Sequence, residues 1–439
     1  MAHSFKSFVG KNLAETPVNN NRKEDEGLVS NFHRMLLNEV DLRELSKLDT
    51  NQRRARLERV LAQLVSREGV ILSTSERNRL IRRVVDDAVG LGALEPILND
   101  HTVSEIMING PETIYVERGG ILERWDGGFA SEEQLRLTID RIVSTVNRRV
   151  DESNPMVDAR LPADARLPRG ARVNVVLPPL SLNGPVVTIR LFPVAVSLSK
   201  LIEWGSLSPI AAKLLEVCVQ ARLNIVVSGG TGSGKTTLLN ALSSFIGDSE
   251  RIITVEDAAE LSLDQPHTVR LETRPANVEG KGAVTIRDLV RNALRMRPDR
   301  IVVGECRGGE ALDMLQAMNT GHEGSLTTVH ANSVLDALSR LETLASMSDV
   351  ELPYEAIRDQ VNSAIDIIVQ LERDAEGSRR VTEVSFVASR GNTDYEVVPL
   401  GAWAREVDGG HFDYYPLPEA LAKRLERFDA DVRQWWVTK

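Results

Sequence analysis

Residues Gly229-Gly230-Thr231-Gly232-Ser233-Gly234-Lys235-Thr236 carry the pattern G-x-x-x-x-G-K-T. Glycines at this spacing let successive backbone N–H groups turn toward one point. A helix N-terminus beneath them completes a cradle for phosphate. Lys235 is placed to reach the β- and γ-phosphates, and the Thr236 hydroxyl to coordinate Mg²⁺. Thr237 follows in the first turn of the helix. A plain glycine turn would need no particular flanks. Here the apolar run Leu223–Ser228 reads as a buried strand, and Thr237–Leu242 reads as a helix. The spacing in that context predicts nucleoside triphosphate binding.

Hydrolysis needs a held metal, a carboxylate that orients or activates water, and positive charge against the phosphates. Ile252–Asp257 reads as a strand ending in the carboxylates Glu256 and Asp257, and Ile301–Glu305 as one ending in Glu305. Gly304 stands where a Walker B aspartate is usual, which leaves Glu305 as the candidate catalytic carboxylate. Glu256 is the candidate for the metal or its water shell. Capping of the following helices is the competing use of these acids. His322 and His330 flank a further strand, but their spacing is not H-E-x-x-H and no cysteines accompany them. Contact with the γ-phosphate is the chemical reading, and a core or cap histidine the plain one. Arg270, Arg274, Arg287, Arg291, Arg295 and Arg297 crowd one stretch. They are either a solvated face or arginines that act across a subunit boundary.

The elements that must position these groups follow from pattern. Residues 1–26 are polar and read as a disordered tail. Residues 27–95 read as a small helical bundle, with stripes such as Leu57, Val60, Leu61, Leu64 and Val65. Gly69 is a C-cap candidate, and Ser75 an N-cap candidate for the next helix. Residues 96–192 read as α+β, with a hairpin at Arg118-Gly119-Gly120 and a capping box at Ser131 and Gln134. Asp158-Ala159-Arg160-Leu161-Pro162 recurs as Asp164-Ala165-Arg166-Leu167-Pro168 and reads as a loop. A linker over 193–207 leads to alternating strands and helices over 208–387, the signature of a covered parallel sheet. Residues 388–439 read as a less regular C-terminal extension. Its Trp403, Trp435 and Trp436 serve either a partner or packing on the body.

The 439 residues allow two or three domains. A net charge of -10 disfavours a dedicated nucleic-acid binder. Cys218 and Cys306 make no disulfide framework, which fits a reducing cytoplasm. No run reaches the roughly 18 apolar residues of a membrane span, and Met1–Lys6 shows no secretory h-region.

Four blocks stand in order: Walker A at 229–236, the acidic box Ile253–Asp257, Arg297–Glu305, and Gly321–His330. Together they resemble the type II/type IV secretion ATPases. The nearest likeness is to the CpaF-like ATPase of the Tad (Flp) pilus. Arg270–Pro275, Ala311–His322 and Pro178–Pro185 support it, over residues 30 to 387. The resemblance implies a RecA-like ATPase domain hinged to an N-terminal PAS-like domain. It implies ATP and Mg²⁺ as cofactors, with nucleotide held between the domains. Lys235 and Thr236 then serve as the P-loop pair, Glu305 as the Walker B glutamate, Glu256 as the Asp-box acid, and His322 and His330 as the His-box pair. Arg172 and Arg190 resemble the N-terminal-domain arginines that face the phosphates, although the doubled motif leaves Arg160 and Arg166 open as equivalents. The implied assembly is a homo-hexamer at the cytoplasmic face of the inner membrane. It would drive pilus assembly, retraction or secretion through membrane platform proteins, with no nucleic acid. A DNA-translocating RecA-like motor and a non-hydrolysing scaffold are the competing readings.

Overall fold

The structure, a computed structural model, describes residues 20–437 apart from 41–44, 46, 47, 49, 164–166, 168, 193–195, 277–280, 375, 389–393, 407 and 408. It divides into two compact units, Met1–Leu191 and Phe192–Lys439.

In the first unit, helices Asn20–Glu39, Thr50–Arg67 and Thr74–Val89 close on Phe32, Leu36, Leu61, Leu64, Val84 and Val85. The helical stripes therefore face one core, as their spacing requires. The first helix begins inside the segment read as a tail, whose residues 1–19 lie outside the described ones. The cap of the third helix is Ser73, not Ser75. Its hydroxyl accepts from the Glu76 N–H at 3.3 Å, while Glu76 accepts from the Ser73 N–H at 2.8 Å. Glu three residues after a serine is the box signature, and Ser73 is the serine that has it.

The α+β part is a six-stranded antiparallel sheet in the order β3-β2-β1-β6-β5-β4. Its strands are β1 Val103–Asn109, β2 Ile114–Arg118, β3 Ile121–Trp125, β4 Met156–Leu161, β5 Ala171–Val176 and β6 Val186–Leu191. Helix Glu132–Ser144 buries Leu135, Ile139, Ile142 and Val143 in the same core as the sheet's apolar residues. Only half of the expected box forms at its start. Ser131 accepts from the Gln134 N–H, but the Gln134 side chain accepts from Ala130 rather than Ser131. The first copy of the doubled motif is strand, not loop. Ala159 and Leu161 alternate inward along β4, and β5 pairs with it throughout. In the second copy, Asp164, Ala165, Arg166 and Pro168 lie outside the described residues.

The second unit is built on a nine-stranded sheet in the order β15-β14-β13-β12-β7-β11-β10-β8-β9. Strands β7 Ile225–Gly229, β8 Ile252–Glu256, β9 Thr268–Glu272, β10 Arg300–Cys306, β11 Leu326–Val329 and β12 Ile367–Arg373 run parallel. One strand, β11, separates the P-loop strand β7 from the carboxylate strand β10, which is the RecA-like order. Cores on the two faces bury both sides of the strands, so they read as unbroken apolar runs. Within the segment read as a linker, Ser197 caps a short helix, Leu198–Glu203.

The C-terminal extension is regular, contrary to its sequence reading. Beyond β13 Arg379–Val387, which closes the hairpin with β12 inside the 208–387 segment, the extension's β14 Val397–Glu406 and β15 Gly409–Tyr414 continue the sheet antiparallel. Helices Glu419–Leu425 and Val432–Val437 follow. Trp436 is fully buried, and its indole N–H donates to the Tyr415 carbonyl at 2.7 Å. Trp435 lies 4.1 Å from the Lys213 ammonium. These tryptophans pack onto the body.

Candidate functional site

A parallel sheet gathers the C-terminal ends of its strands along one rim, and ligands bind there. β7 ends at Gly229, β8 at Glu256, β10 just past Glu305, and β11 immediately before His330. The fold thus brings Lys235, Thr236, Glu256, Glu305 and His330 to one rim. His322 does not join them. It precedes β11, at the opposite end of the strand from His330, and its backbone N–H donates to Ala317 O at the end of helix Glu310–Asn319.

The P-loop needs its glycines for stated reasons. Gly232 and Gly234 have φ of +69° and +96°, a region that L side chains disfavour. A β-carbon on Gly229 would stand 2.6 Å from the Leu371 carbonyl oxygen. Helix Lys235–Ser243 starts directly after the loop, so its free N–H groups point into the cradle. The Lys235 ammonium donates to the Gly229 and Gly230 carbonyls at 3.0 and 2.9 Å. Burial lowers its pKa, and nearby Glu305 opposes that shift.

Glu305 sits on a β-bulge. The β10–β11 register slips between Val303 and Cys306, which re-aims the intervening Gly304 and Glu305. Glu256 is 2% exposed. One of its oxygens accepts from the Glu260 and Leu261 N–H groups at 2.8 and 2.9 Å, and the other, Oε1, is buried with no hydrogen-bond partner. Burial pushes its pKa up to about 7. An orphaned buried carboxylate oxygen is costly and fits a ligand such as the water shell of Mg²⁺. Thr236 stands in the first turn of helix Lys235–Ser243, directly after the loop.

Sequence reasoning missed three arginines at this rim. Arg307 donates to Glu305 Oε2 at 2.7 Å and to Asp257 Oδ2 at 3.2 Å, tying the two carboxylate strands together. Its place two residues after Glu305 was the available signal. Arg373 and Arg379 flank the P-loop from the β12–β13 turn, and no spacing pointed to them. The crowded arginines are mostly engaged within the unit. Arg287 and Arg291 both hold Asp313 at 2.8 Å, Arg270 donates to Ala259 O, and Arg274 to Gly282 O.

In the first unit, strand register forms an arginine row. Glu105 pairs with Arg190, Arg190 with Arg172, and Arg172 with Arg160. Directly opposed residues share a face, and like charges there repel. Arg160, which the sequence left open, therefore lies in the row, while Arg166 falls outside the described residues. Among the described residues, no helix is long and apolar enough to cross a membrane.

Comparison with known proteins agrees with this architecture. The family model "Type II/IV secretion system protein" matches residues 87–398. A putative conjugal transfer protein of Mycobacterium tuberculosis is 40% identical over 308 residues, covering 70% of this chain and 87% of that protein. The conjugal transfer protein TrbB of Rhizobium radiobacter is 34% identical, covering 72% and 93%. The type IV secretion system protein PtlH of Bordetella pertussis is 37% identical, covering 66% and 91%. The crystal structure of the pilus retraction motor PilT shares the fold, with a TM-score of 0.50 at 24% identity over 70% of this chain and 80% of that one. By a family model that matches residues 87–398 and relatives of this identity and coverage, the chain belongs to the type II/IV secretion system protein family of ATPases.

Proposed function

We propose that this chain is a Mg²⁺-ATP-hydrolysing motor that works as a homo-hexamer and powers Tad-type pilus assembly, retraction or secretion. The observation that carries the reading is the rim itself. A phosphate cradle, a buried carboxylate with an unpartnered oxygen and a bulge-mounted glutamate share one end of one sheet. In this proposal the backbone of Gly229–Gly234, with Ser233, Lys235, Thr236 and Thr237, holds the phosphates. Thr236 and Glu256 hold Mg²⁺, in part through water. The metal, when bound, offsets charge on the phosphate oxygens. Glu305 orients the attacking water and takes its proton, and His330 contacts the γ-phosphate end. His322 acts at a distance, by fixing the loop that leads into β11. Lys235 leaves the Gly229 and Gly230 carbonyls for the phosphates, exchanging neutral acceptors for charged ones.

Arg172 and Arg190, with Arg160 beside them in the row, are proposed to bind phosphate. Secretion-system platform proteins at the inner face of the cytoplasmic membrane would receive the motion. Relatives named for conjugal transfer and for type IV secretion support that setting. ATP binding by the wild type, lost in Lys235→Ala, tests the nucleotide site. Complementation of a strain lacking its Tad pilus motor tests the pathway. A DNA-translocating motor is the competitor; salt-sensitive stimulation of turnover by DNA would favour it.

A further inference from the structure

We infer that the C-terminal extension buttresses an arginine pair that forms one wall of the nucleotide site; this rests on the ATP-binding reading above. β7 and β12 lie side by side in parallel register, ending with Gly229 opposite Leu371. The β12–β13 hairpin therefore overhangs the P-loop. Its turn is fixed by Asp374, whose Oδ1 accepts from the Ser378 and Glu376 N–H groups at 2.8 and 3.1 Å. Just outside the turn, Arg373 is directly opposite Arg379. Both lie against the phosphate cradle. A β-carbon on Gly232 would stand 3.6 Å from Arg373 Nη1, and one on Gly234 would stand 3.7 Å from Arg379 Cδ.

Opposed cations across a hairpin repel. Set beside a cradle of backbone N–H groups, the two guanidiniums would add charge-assisted donors to a bound phosphate. The chemistry thus points to the polyphosphate of the nucleotide itself as the ligand.

The residues next to this pair, Glu372 and Arg380, are also in register with each other. Both are gripped from β14. The Arg380 guanidinium lies 4.2 Å from the Trp403 ring centroid, within cation–π range. Arg405 donates to Glu372 Oε2 at 2.8 Å. The neighbouring strand makes room for this, since a β-carbon on Gly410 would stand 2.8 Å from the Trp403 ring. Trp403 and Arg405 lie beyond residue 398, where the family match ends. Two anchors on the extension thus hold the flanks of the arginine pair. Trp403 and Arg405 are positioning residues: they act on the nucleotide through the hairpin.

The test is ATP affinity, with KM and kcat, for the full chain and for Lys235→Ala, Arg379→Ala, Trp403→Ala, Trp403→Phe and Arg405→Ala. Arg379→Ala should weaken ATP binding about tenfold, as for a charged contact. Trp403→Ala should raise KM about threefold with kcat within about twofold, and Trp403→Phe should restore most of the loss. A merely structural tryptophan would lower thermal stability and kcat without that split. Should Trp403→Ala fail to fold, Arg405→Ala carries the same expectation. Folded Arg379→Ala and Arg405→Ala proteins that bind ATP like wild type, while Lys235→Ala does not, would overturn the inference and leave the nucleotide site standing. Failure of wild type itself to bind ATP would overturn both.

Discussion

Gly304 and Glu256 share one space: a β-carbon on Gly304 would stand 3.1 Å from Glu256 Cγ. The missing side chain on β10 is what admits the carboxylate from the neighbouring strand β8. The glycine at the usual aspartate position is therefore part of the site's design, with the acid supplied from next door. Gly304→Ala should displace Glu256 at a cost of ~1–3 kcal/mol. If that falls on the transition state, kcat drops roughly ten- to a hundredfold. Steady-state turnover checks this, and an unchanged kcat would contradict it.

Glu256 gives a pH prediction in the Mg²⁺-free, nucleotide-free protein. Burial raises its pKa from 4.5 to about 7. The folded state thus holds this proton more tightly than the unfolded chain. That stabilising contribution is full below about pH 4.5 and is lost as pH rises through about 7. Glu256→Gln should therefore gain roughly 3 kcal/mol relative to wild type near pH 8 and nothing near pH 4. Urea unfolding at the two pH values measures it. An equal difference at both would refute the burial account.

Much of this was legible in the sequence, and the illegible parts have physical causes. The P-loop declares itself because phosphate binding demands fixed residues at fixed spacing. The strands of the parallel sheet declare themselves because burial on both faces makes them apolar throughout. Strand order is not local, so nothing near Leu326 announced that β11 would separate β7 from β10. Nor could spacing reveal that Arg373 and Arg379 meet the P-loop, because their partner lies more than a hundred residues away. The extension looked irregular because β14 carries Pro399 and Gly401 among its apolar residues. His322 and His330 look equivalent in sequence, but the length of β11 puts them at opposite ends.

Arg300 predicts a stability effect far from the chemistry. It is 1% exposed, pairs with both oxygens of Glu250, and donates to the Gly324 and Val219 carbonyls at 3.0 Å. Without it Glu250 keeps Arg222 and the Gly247 N–H, but the Gly324 and Val219 carbonyls lose this buried donor. Arg300→Ala should cost ~1–3 kcal/mol in denaturant unfolding. Loss of less than ~1 kcal/mol would show that the pair is dispensable.

The extension should also be integral to the second unit. Trp436→Ala removes a fully buried indole and should cost ~3–5 kcal/mol. Thermal unfolding of the full chain is the check. A cost near zero would mean that the helix Val432–Val437 docks without contributing.

A Mg²⁺-ATP motor with Glu305 at its rim must reveal itself in turnover. Steady-state Mg²⁺-ATP hydrolysis is recorded for wild type and Glu305→Gln across protein concentrations. Wild-type specific activity should rise with concentration, as an assembling ring requires. In Glu305→Gln, turnover falls by orders of magnitude while ATP binding is kept. Equal turnover in the two proteins would contradict it.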